Sequence, residues 1–380
     1  MGYIHKLKPI REQPALKFGS MVHEALELRY PPGIKRGPKP AESFEKIFKR
    51  EQQSVEAAWK MRVDEEWEDA LTLGVNMMEN YVEMYGRDED WKVIASEMTF
   101  KVPVYLPNDY TNPLLALLDL PAAVLTGQEP LFYYVGTMDG VWENRIDGGV
   151  RINDYKTCGG DPVKEALGKH SLDEQATSYW TWGVDWLESQ KILKDRQIRE
   201  LDGMLYTFLR KGMKDLRWQN REGYYLNKPK KDDLLAEIEK QELELPAKGE
   251  GSGKNGSVVM DDLIGLLGED QAMLLGEISK DQPPPLFHRE VVYRSAVERE
   301  RTRERAIQQV IVMLAKRKGI LPIYKSPGTG YPSLQCQACS FRDMCELHES
   351  GDNWQLMRDS SMEGWNPYDA HEIAEEGKAR

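Results

Sequence analysis

Three short patterns set out residue types that could do chemistry. Asp154-Tyr155-Lys156 closes an apolar run, VRINDYKT at 150–157. If that run is a strand, Asp154 and Lys156 project from one face and Tyr155 from the other, because strand side chains alternate. A carboxylate beside a lysine suits metal-assisted hydrolysis of a phosphodiester. The carboxylate holds a hard cation, and the lysine orients water or stabilises developing charge. The spacing alone is a weak signal: Asp-x-Lys recurs at Asp90–Lys92 and Glu-x-Lys at Glu376–Lys378, and a plain exposed ion pair would explain an isolated match. Asp139, in Gly136-Thr137-Met138-Asp139, adds a second acid if its run forms a hairpin with the first. Two facing carboxylates repel unless a cation lies between them. The bland alternative is an Asp-Gly turn.

The second pattern is Gly19, His23 and Glu27, spaced by four and so on one helix face. A lone helical histidine is more often structural than a ligand. The third is Gln175 and Tyr179, also one turn apart. An amide and a phenol can hydrogen-bond phosphate oxygens or hold the lysine, although that pair by itself means little.

These residues need elements to position them. Residues 16–30 carry Leu16, Met21, Val22, Ala25 and Leu26 at helical spacing, and Pro31-Pro32-Gly33 stops the helix. The stretch 34–60 is basic, then mixed and helical; 61–88 is a second long helical pattern. The period then changes. Residues 92–106 alternate like a strand, 131–143 form a second candidate broken at Gly136, and 150–157 a third, with Asp147-Gly148-Gly149 favouring a hairpin. Residues 171–190 read as a helix, with Ser171 as N-cap and Glu174 completing a capping box. Residues 201–211 are a fourth strand. Helix, three strands, helix, strand, with two hairpin-like connections and one helical crossover, predicts an α/β fold on a mixed sheet. The expected organisation is a core at 1–211, an insertion at 212–280, a C-terminal helix and cysteine cluster at 281–348 packing on the core, and an acidic tail at 349–380. The insertion contains GEGSGKNGS (249–257), a flexible loop by composition. Residues 296–318 predict the C-terminal helix.

In chain order, Gly-x-x-x-His-x-x-x-Glu at 19–27, Gly-x-x-Asp at 136–139, Asp-x-Lys at 154–156 and Gln-x-x-x-Tyr at 175–179 resemble the RecB-like branch of the PD-(D/E)XK nucleases. The LYTFLRK strand that follows is similar too. The resemblance covers residues 14–211 and, through the cysteines, 287–348. It implies an αβββαβ restriction-endonuclease-like core with helical additions at both ends. It implies metal ligands at His23, Asp139, Asp154 and the Tyr155 carbonyl, a catalytic lysine at Lys156, and substrate-side groups at Gln175 and Tyr179. Glu27 and Glu97 are additional acids near the site. It further implies Mg2+ or Mn2+ in an oxygen-rich site and hydrolysis by a metal-activated water without a covalent intermediate. The expected activity is that of a DNA exonuclease in recombination, repair or phage replication. Its setting would be the cytoplasm of a bacterium or phage-infected host, with a helicase or recombination protein as partner. The competing reading is a catalytically idle DNA-end-binding or scaffold subunit; the intact Asp139, Asp154 and Lys156 argue against it. A zinc-knuckle RNA-binding protein would leave the Asp-x-Lys pattern unexplained.

Cys336-x2-Cys339-x5-Cys345 can wrap one metal centre, zinc or iron–sulfur, that needs a fourth ligand. The spacing looks like the [4Fe-4S] cluster of the family's AddB-type and CRISPR-adaptation members, whose fourth cysteine precedes the histidine helix. No cysteine precedes His23 here. The favoured expectation is a chain without its native start and with an incomplete cluster. Cys158 is the alternative fourth ligand, and His348 a minor one. The centre's expected role is structural.

Composition bounds the rest. The chain has 380 residues, 40% apolar and 30% charged, which suits a globular protein of about two domains. Its longest apolar stretch, Leu114 to Leu125, is interrupted by Asp119 and Pro121 and is too short to span a membrane. The N-terminus has no apolar signal core. Four cysteines exclude a disulfide scaffold. A net charge of −12 argues against a generally basic nucleic-acid coat, but the charge is uneven. Residues 1–60 hold 12 basic and 7 acidic side chains, and residues 346–380 hold 3 and 9, the mark of a solvated tail. Basic and aromatic residues interleave at Lys35–Arg36–Lys39, at Arg210-Lys211 and in 217–231, which are candidate nucleic-acid contacts. The helix start Glu298–Arg305 reads as a solvated face.

Overall fold

The computed structural model describes residues 7–9, 14–59, 65–169, 174–190, 201–247, 249–322 and 339–365. Two compact units emerge: residues 1–212 with 287–380, and residues 213–286.

The larger unit is a mixed α/β fold with a restriction-endonuclease-like core. A short N-terminal strand, β1 (Leu7–Pro9), precedes three helices: α1 (Pro14–Arg29), α2 (Pro40–Trp59) and α3 (Glu65–Tyr85). Then come β2 (Trp91–Val104), β3 (Phe132–Asn144) and β4 (Val150–Cys158). α4 (Pro162–Lys169) and α5 (174–189) lead to β5 (Leu201–Arg210). With β6 (Phe287–Val292), the sheet order is β2-β3-β4-β5-β6. Only β4 and β5 run parallel; the other neighbours are antiparallel. That is the predicted pattern: the β4–β5 connection, through α4 and α5, is the helical crossover that a parallel pair needs.

Apolar residues at helical spacing build the α1–α3 layer. Phe18, Met21, Val22, Ala25 and Leu26 of α1 are buried, as are Phe44 and Phe48 of α2 and Trp67, Met77 and Tyr81 of α3. Phe48 meets the edge of Trp67 at 5.3 Å between ring centres. This layer covers the sheet face bearing Trp142 and Tyr155: Tyr30 lies 4.6 Å from Trp142, and His23 5.9 Å from Tyr155. The opposite face carries Phe100, Met138, Ile152, Met204 and Phe208. It packs on Tyr179, Trp182 and Leu187 of α5 and on Ile307, Ile311 and Ala315 of α9 (Ala296–Arg317). Ser295 caps α9 by accepting from the Glu298 N–H, while the Glu298 carboxylate accepts from the Ser295 N–H.

The structure departs from the sequence expectations at several places. β3 is continuous through Gly136, and Asp139-Gly140 lies in strand rather than turn. Gly136 is needed for closeness: a Cβ there would stand 2.7 Å from Phe100 and 3.2 Å from Tyr179. The fifth strand of this sheet, β6, was not expected: three consecutive polar residues, His288, Arg289 and Glu290, break its apolar alternation. The start of α9 is a docking surface, because Arg299 and Arg303 both grip Asp185 of α5. Within residues 346–380, α10 (Arg342–Ser350) ends, α11 (Trp354–Ser361) follows, and β7 (Met362–Gly364) pairs with β1. Ser171 lies outside the described residues, as do residues 366–380.

The smaller unit has α6 (Lys231–Lys240), α7 (Met260–Leu267) and α8 (Glu269–Leu274) around its own core of Leu234, Ile238, Leu263, Ile264, Leu267 and Ala272. The glycine-rich stretch is not open chain: Gly251 N–H donates to the Gly256 carbonyl, and Gly253 N–H to that of Ser257. Asp262 accepts from the Ser252 and Val259 N–H groups.

Candidate active site

β3 pairs with β4 only through residues 140–143 and 150–153. Beyond that the two strands part, and the candidate residues gather at the fork. Asp139 stands at the parting point. Its Oδ2 accepts the Tyr155 N–H at 2.7 Å, and its Oδ1 lies 3.2 Å from His23 Nδ1. α1 delivers His23 there because its buried residues hold the neighbouring helix face on the sheet. Gly19, one turn earlier, faces Thr157, where a Cβ would sit at an ordinary contact distance of 3.4 Å from Thr157 Oγ1, so the expected need for glycine there is not met.

Asp154 projects from the other face of β4 and is almost fully buried. Lys156, two residues on, follows it to that face, and its Nζ lies 2.6 Å from Asp154 Oδ2. The same Nζ donates to Gln175 Oε1 at 2.8 Å, and Gln175 Nε2 donates to Tyr179 OH at 2.9 Å. The chain Asp154–Lys156–Gln175–Tyr179 therefore runs from β4 to α5. Tyr179 begins a π-helical turn, Tyr179–Gly183, of the kind that often marks functional positions. The Gln175–Tyr179 face opens on a groove of about 350 Å³ lined also by Tyr134, Gly136, Trp182 and Arg305.

Electrostatics sets the character of the fork. Burial pushes the Asp154 carboxyl up to about 6; Lys156 opposes that, and Asp139 adds to it. Burial alone would lower the His23 pKa, but the hydrogen bond and charge of Asp139, with the charge of Asp154, outweigh it and raise it. A buried acid, Asp154, a half-buried one, Asp139, and the His23 imidazole form a donor set that favours a hard divalent cation with some nitrogen ligation. His23, Asp139, Asp154 and the Tyr155 carbonyl thus fit such an ion chemically. As they stand, His23 and Asp139 are in contact while Asp154 is drawn to Lys156. Among the described residues no three His, Cys, Asp or Glu side chains converge on one point.

Glu27 and Glu97 meet beside the fork. Burial, a hydrogen bond that protonated Glu27 donates to Glu97, and the Glu97 charge push the Glu27 carboxyl up to about 8. Glu97 lies between Ser96, paired with Gly140, and Met98, paired with Met138, so it stands opposite Asp139. Its φ of 37° is left-handed, a strained conformation for a residue other than glycine. No sequence signal marks that strain.

The cysteine set is only partly described. Cys336 lies outside the described residues. Cys339 precedes α10, Cys345 lies on it, and both are free thiols. His348 is on the same helix, near Trp354. Cys158 ends β4, two residues beyond Lys156, with its thiol 3.8 Å from the Gly160 carbonyl.

Two basic stretches are engaged within the fold. Arg36 donates to the carbonyls of Arg87, Asp88 and Trp91, which removes it from the candidate nucleic-acid contacts. Arg217 is held by Asp215 and Ser279. Sequence reading missed a buried network behind the site. Arg289 of β6 forms a bidentate pair with Asp88 at 2.9 Å on both arms and donates to Tyr81 OH, and Tyr30 OH donates to Asp88.

The family model of the PD-(D/E)XK nuclease superfamily matches residues 1–346. The chain belongs to that superfamily, whose members are nucleases that usually use Mg2+ or Mn2+ and act on nucleic acid. A search of curated proteins and a search of solved structures each found no match. Among the described residues no helix is long and apolar enough to cross a membrane.

Proposed function

We propose that the chain is a DNA exonuclease of the RecB-like kind, with its active centre at the β3–β4 fork. The observation that carries the reading is Lys156, whose ammonium bridges the Asp154 carboxylate and the Gln175 amide while His23 and Asp139 close the fork opposite.

In this reading His23, Asp139, Asp154 and the Tyr155 carbonyl hold Mg2+ or Mn2+. The ion would supply positive charge to the scissile phosphate and acidify water. Lys156 serves as the donor to the attacking water or to the phosphate oxygen on which charge grows. Gln175 fixes the direction of the Lys156 ammonium, and Tyr179 fixes Gln175. The Tyr155 N–H bond to Asp139 holds that carboxylate facing the fork. No nucleophilic side chain is required, so the reaction proceeds without a covalent enzyme intermediate.

End preference rests on the order of motifs alone, as does a role in recombination, repair or phage replication inside a bacterial cell. Spacing alone supports an iron–sulfur or zinc centre at Cys336, Cys339 and Cys345.

The test is degradation of end-labelled linear DNA, single- and double-stranded, and of a closed circle, with Mg2+ or Mn2+. Metal-dependent loss of linear DNA that disappears in Lys156→Ala supports the reading, and the label position gives polarity. Cutting of the circle would make the chain an endonuclease. No degradation by folded protein would leave a DNA-end-binding scaffold.

A further inference from the structure

Past the fork, β2 and β3 continue as a two-stranded ribbon, paired from Met98–Met138 to Val104–Phe132 without β4 beside them. The ribbon is two-faced. Met98, Phe100 and Val104, with Met138, turn inward and are buried in the core. The alternate residues turn outward. On β2 and just beyond it they are Glu97, Thr99, Lys101, Pro103 and Tyr105; on β3 they are Asp139, Thr137, Val135 and Tyr133. α1 covers the start of this face, where His23 meets Asp139 and Glu27 meets Glu97, and the face lies open beyond it. Tyr133 is 54% exposed and Tyr105 44%. Lys101 stands 5.1 Å over the Tyr133 ring and forms no ion pair among the described residues. Thr99 and Thr137 hydroxyls meet at 3.1 Å between the acids and the lysine.

We infer that this outer face is the track for an unpaired nucleic-acid strand leading to the scissile phosphate. The inference rests on the active-centre reading above and adds the substrate class to it. Two exposed tyrosines and one lysine that forms no ion pair among the described residues, continuous with the candidate metal ligand Asp139, combine flat rings for base stacking with a cation for the backbone. That combination binds single strands without sequence preference. From residue 97 to residue 105 the track spans about 26 Å at strand rise, room for several nucleotides. A duplex has its bases stacked inside and would leave both rings without partners.

The test is fluorescence anisotropy with 5′-fluorescein (dT)12 and with a labelled 12-base-pair duplex, using the full chain in EDTA to prevent hydrolysis. The intact protein should bind (dT)12 more tightly than the duplex. Tyr105→Ala/Tyr133→Ala should weaken (dT)12 binding at least tenfold, while Tyr105→Phe/Tyr133→Phe should retain it, because stacking needs the ring and not the hydroxyl. Lys101→Ala should flatten the salt dependence of log K by about 0.7. Both tyrosines are exposed, so unchanged melting curves should accompany the changes. Equal (dT)12 binding by the alanine variant and the parent overturns the track, whatever the Lys156→Ala hydrolysis result. Tighter binding of the duplex overturns the unpaired-strand assignment. Loss of hydrolysis in Lys156→Ala judges the active centre separately.

Discussion

The Lys156 ammonium lies 2.6 Å from the carboxylate of Asp154, the same group that the donor set offers to a metal ion. Lysine and metal therefore compete for one buried acid. The prediction is a split result for Lys156→Ala. Removing the neighbouring positive charge should tighten Mn2+ binding several-fold in isothermal titration calorimetry, while hydrolysis of labelled DNA falls by about a hundredfold or more. A variant that lost both metal affinity and activity would instead make Lys156 a structural support of the fork.

Asp139 makes two contacts of different kinds: it accepts the Tyr155 N–H and it faces His23. Its charge is a main reason the His23 pKa is raised. In Asp139→Asn the amide oxygen can still accept from Tyr155, but the charge is gone. The His23 imidazole should then titrate at lower pH than in the parent, read from its ring proton shifts by NMR. An unchanged titration would mean that Asp154 alone sets the His23 charge.

Much of this site was legible before the structure because its patterns are periodic. His23 and Glu27 fall on one helix face by the spacing of four, and Asp154 and Lys156 on one strand face by the spacing of two. The alternating runs and the single helical crossover were enough for a mixed sheet. What escaped depends on contacts between distant residues or on backbone shape. Asp88 and Arg289 are 201 positions apart, and nothing local in either marks the pair. Arg299 and Arg303 read as solvent-facing until Asp185 is seen beside them. β6 follows a run of prolines, and its His288, Arg289 and Glu290 dilute the apolar alternation. The π-turn at Tyr179 and the left-handed Glu97 have no residue signature, since each is imposed by packing around it.

Gly136 tests the packing between strand and active-site helix. A methyl group there would stand 2.7 Å from Phe100 and 3.2 Å from Tyr179, too close for either ring to stay in place. Phe100 is almost fully buried and has little room to yield. Gly136→Ala should cost about 1–3 kcal/mol in urea unfolding, the usual range for overpacking. Activity should fall further than stability alone would explain, because Tyr179 holds Gln175. Full activity in a destabilised variant would detach Tyr179 from the positioning chain.

Arg289 and Asp88 form a buried ion pair, with side-chain exposures of 12% and 7%. Tyr30 of α1 donates to Asp88 and Tyr81 of α3 accepts from Arg289, so the pair ties the helix layer to β6. Breaking such a pair from one side leaves a buried charge without its partner, at a cost of about 3–5 kcal/mol. Arg289→Met should unfold at correspondingly lower urea. The double variant Arg289→Met/Asp88→Leu should recover part of that loss, since no charge is left stranded. Equal destabilisation of single and double variants would make the Tyr30 and Tyr81 contacts the main contribution.

Glu27 links pH to stability through a raised pKa. Burial comes first among the causes, followed by the hydrogen bond and charge of Glu97, and the carboxyl is pushed up to about 8. An unfolded chain releases that proton near the ordinary glutamate value of about 4.3. Between these values the folded protein binds a proton that the unfolded chain has lost, so stability falls as pH rises across this window. The contribution is fully present below the unfolded value and gone above about 8. Glu27→Gln keeps a neutral group that can still donate to Glu97 and removes the proton. The melting temperature of the parent should therefore drop relative to Glu27→Gln as pH is raised from 5 to 9, with the two curves converging at the acid end. Parallel curves would mean that Glu27 is ionised in the folded protein and that the Glu27–Glu97 contact is held by something other than a shared proton.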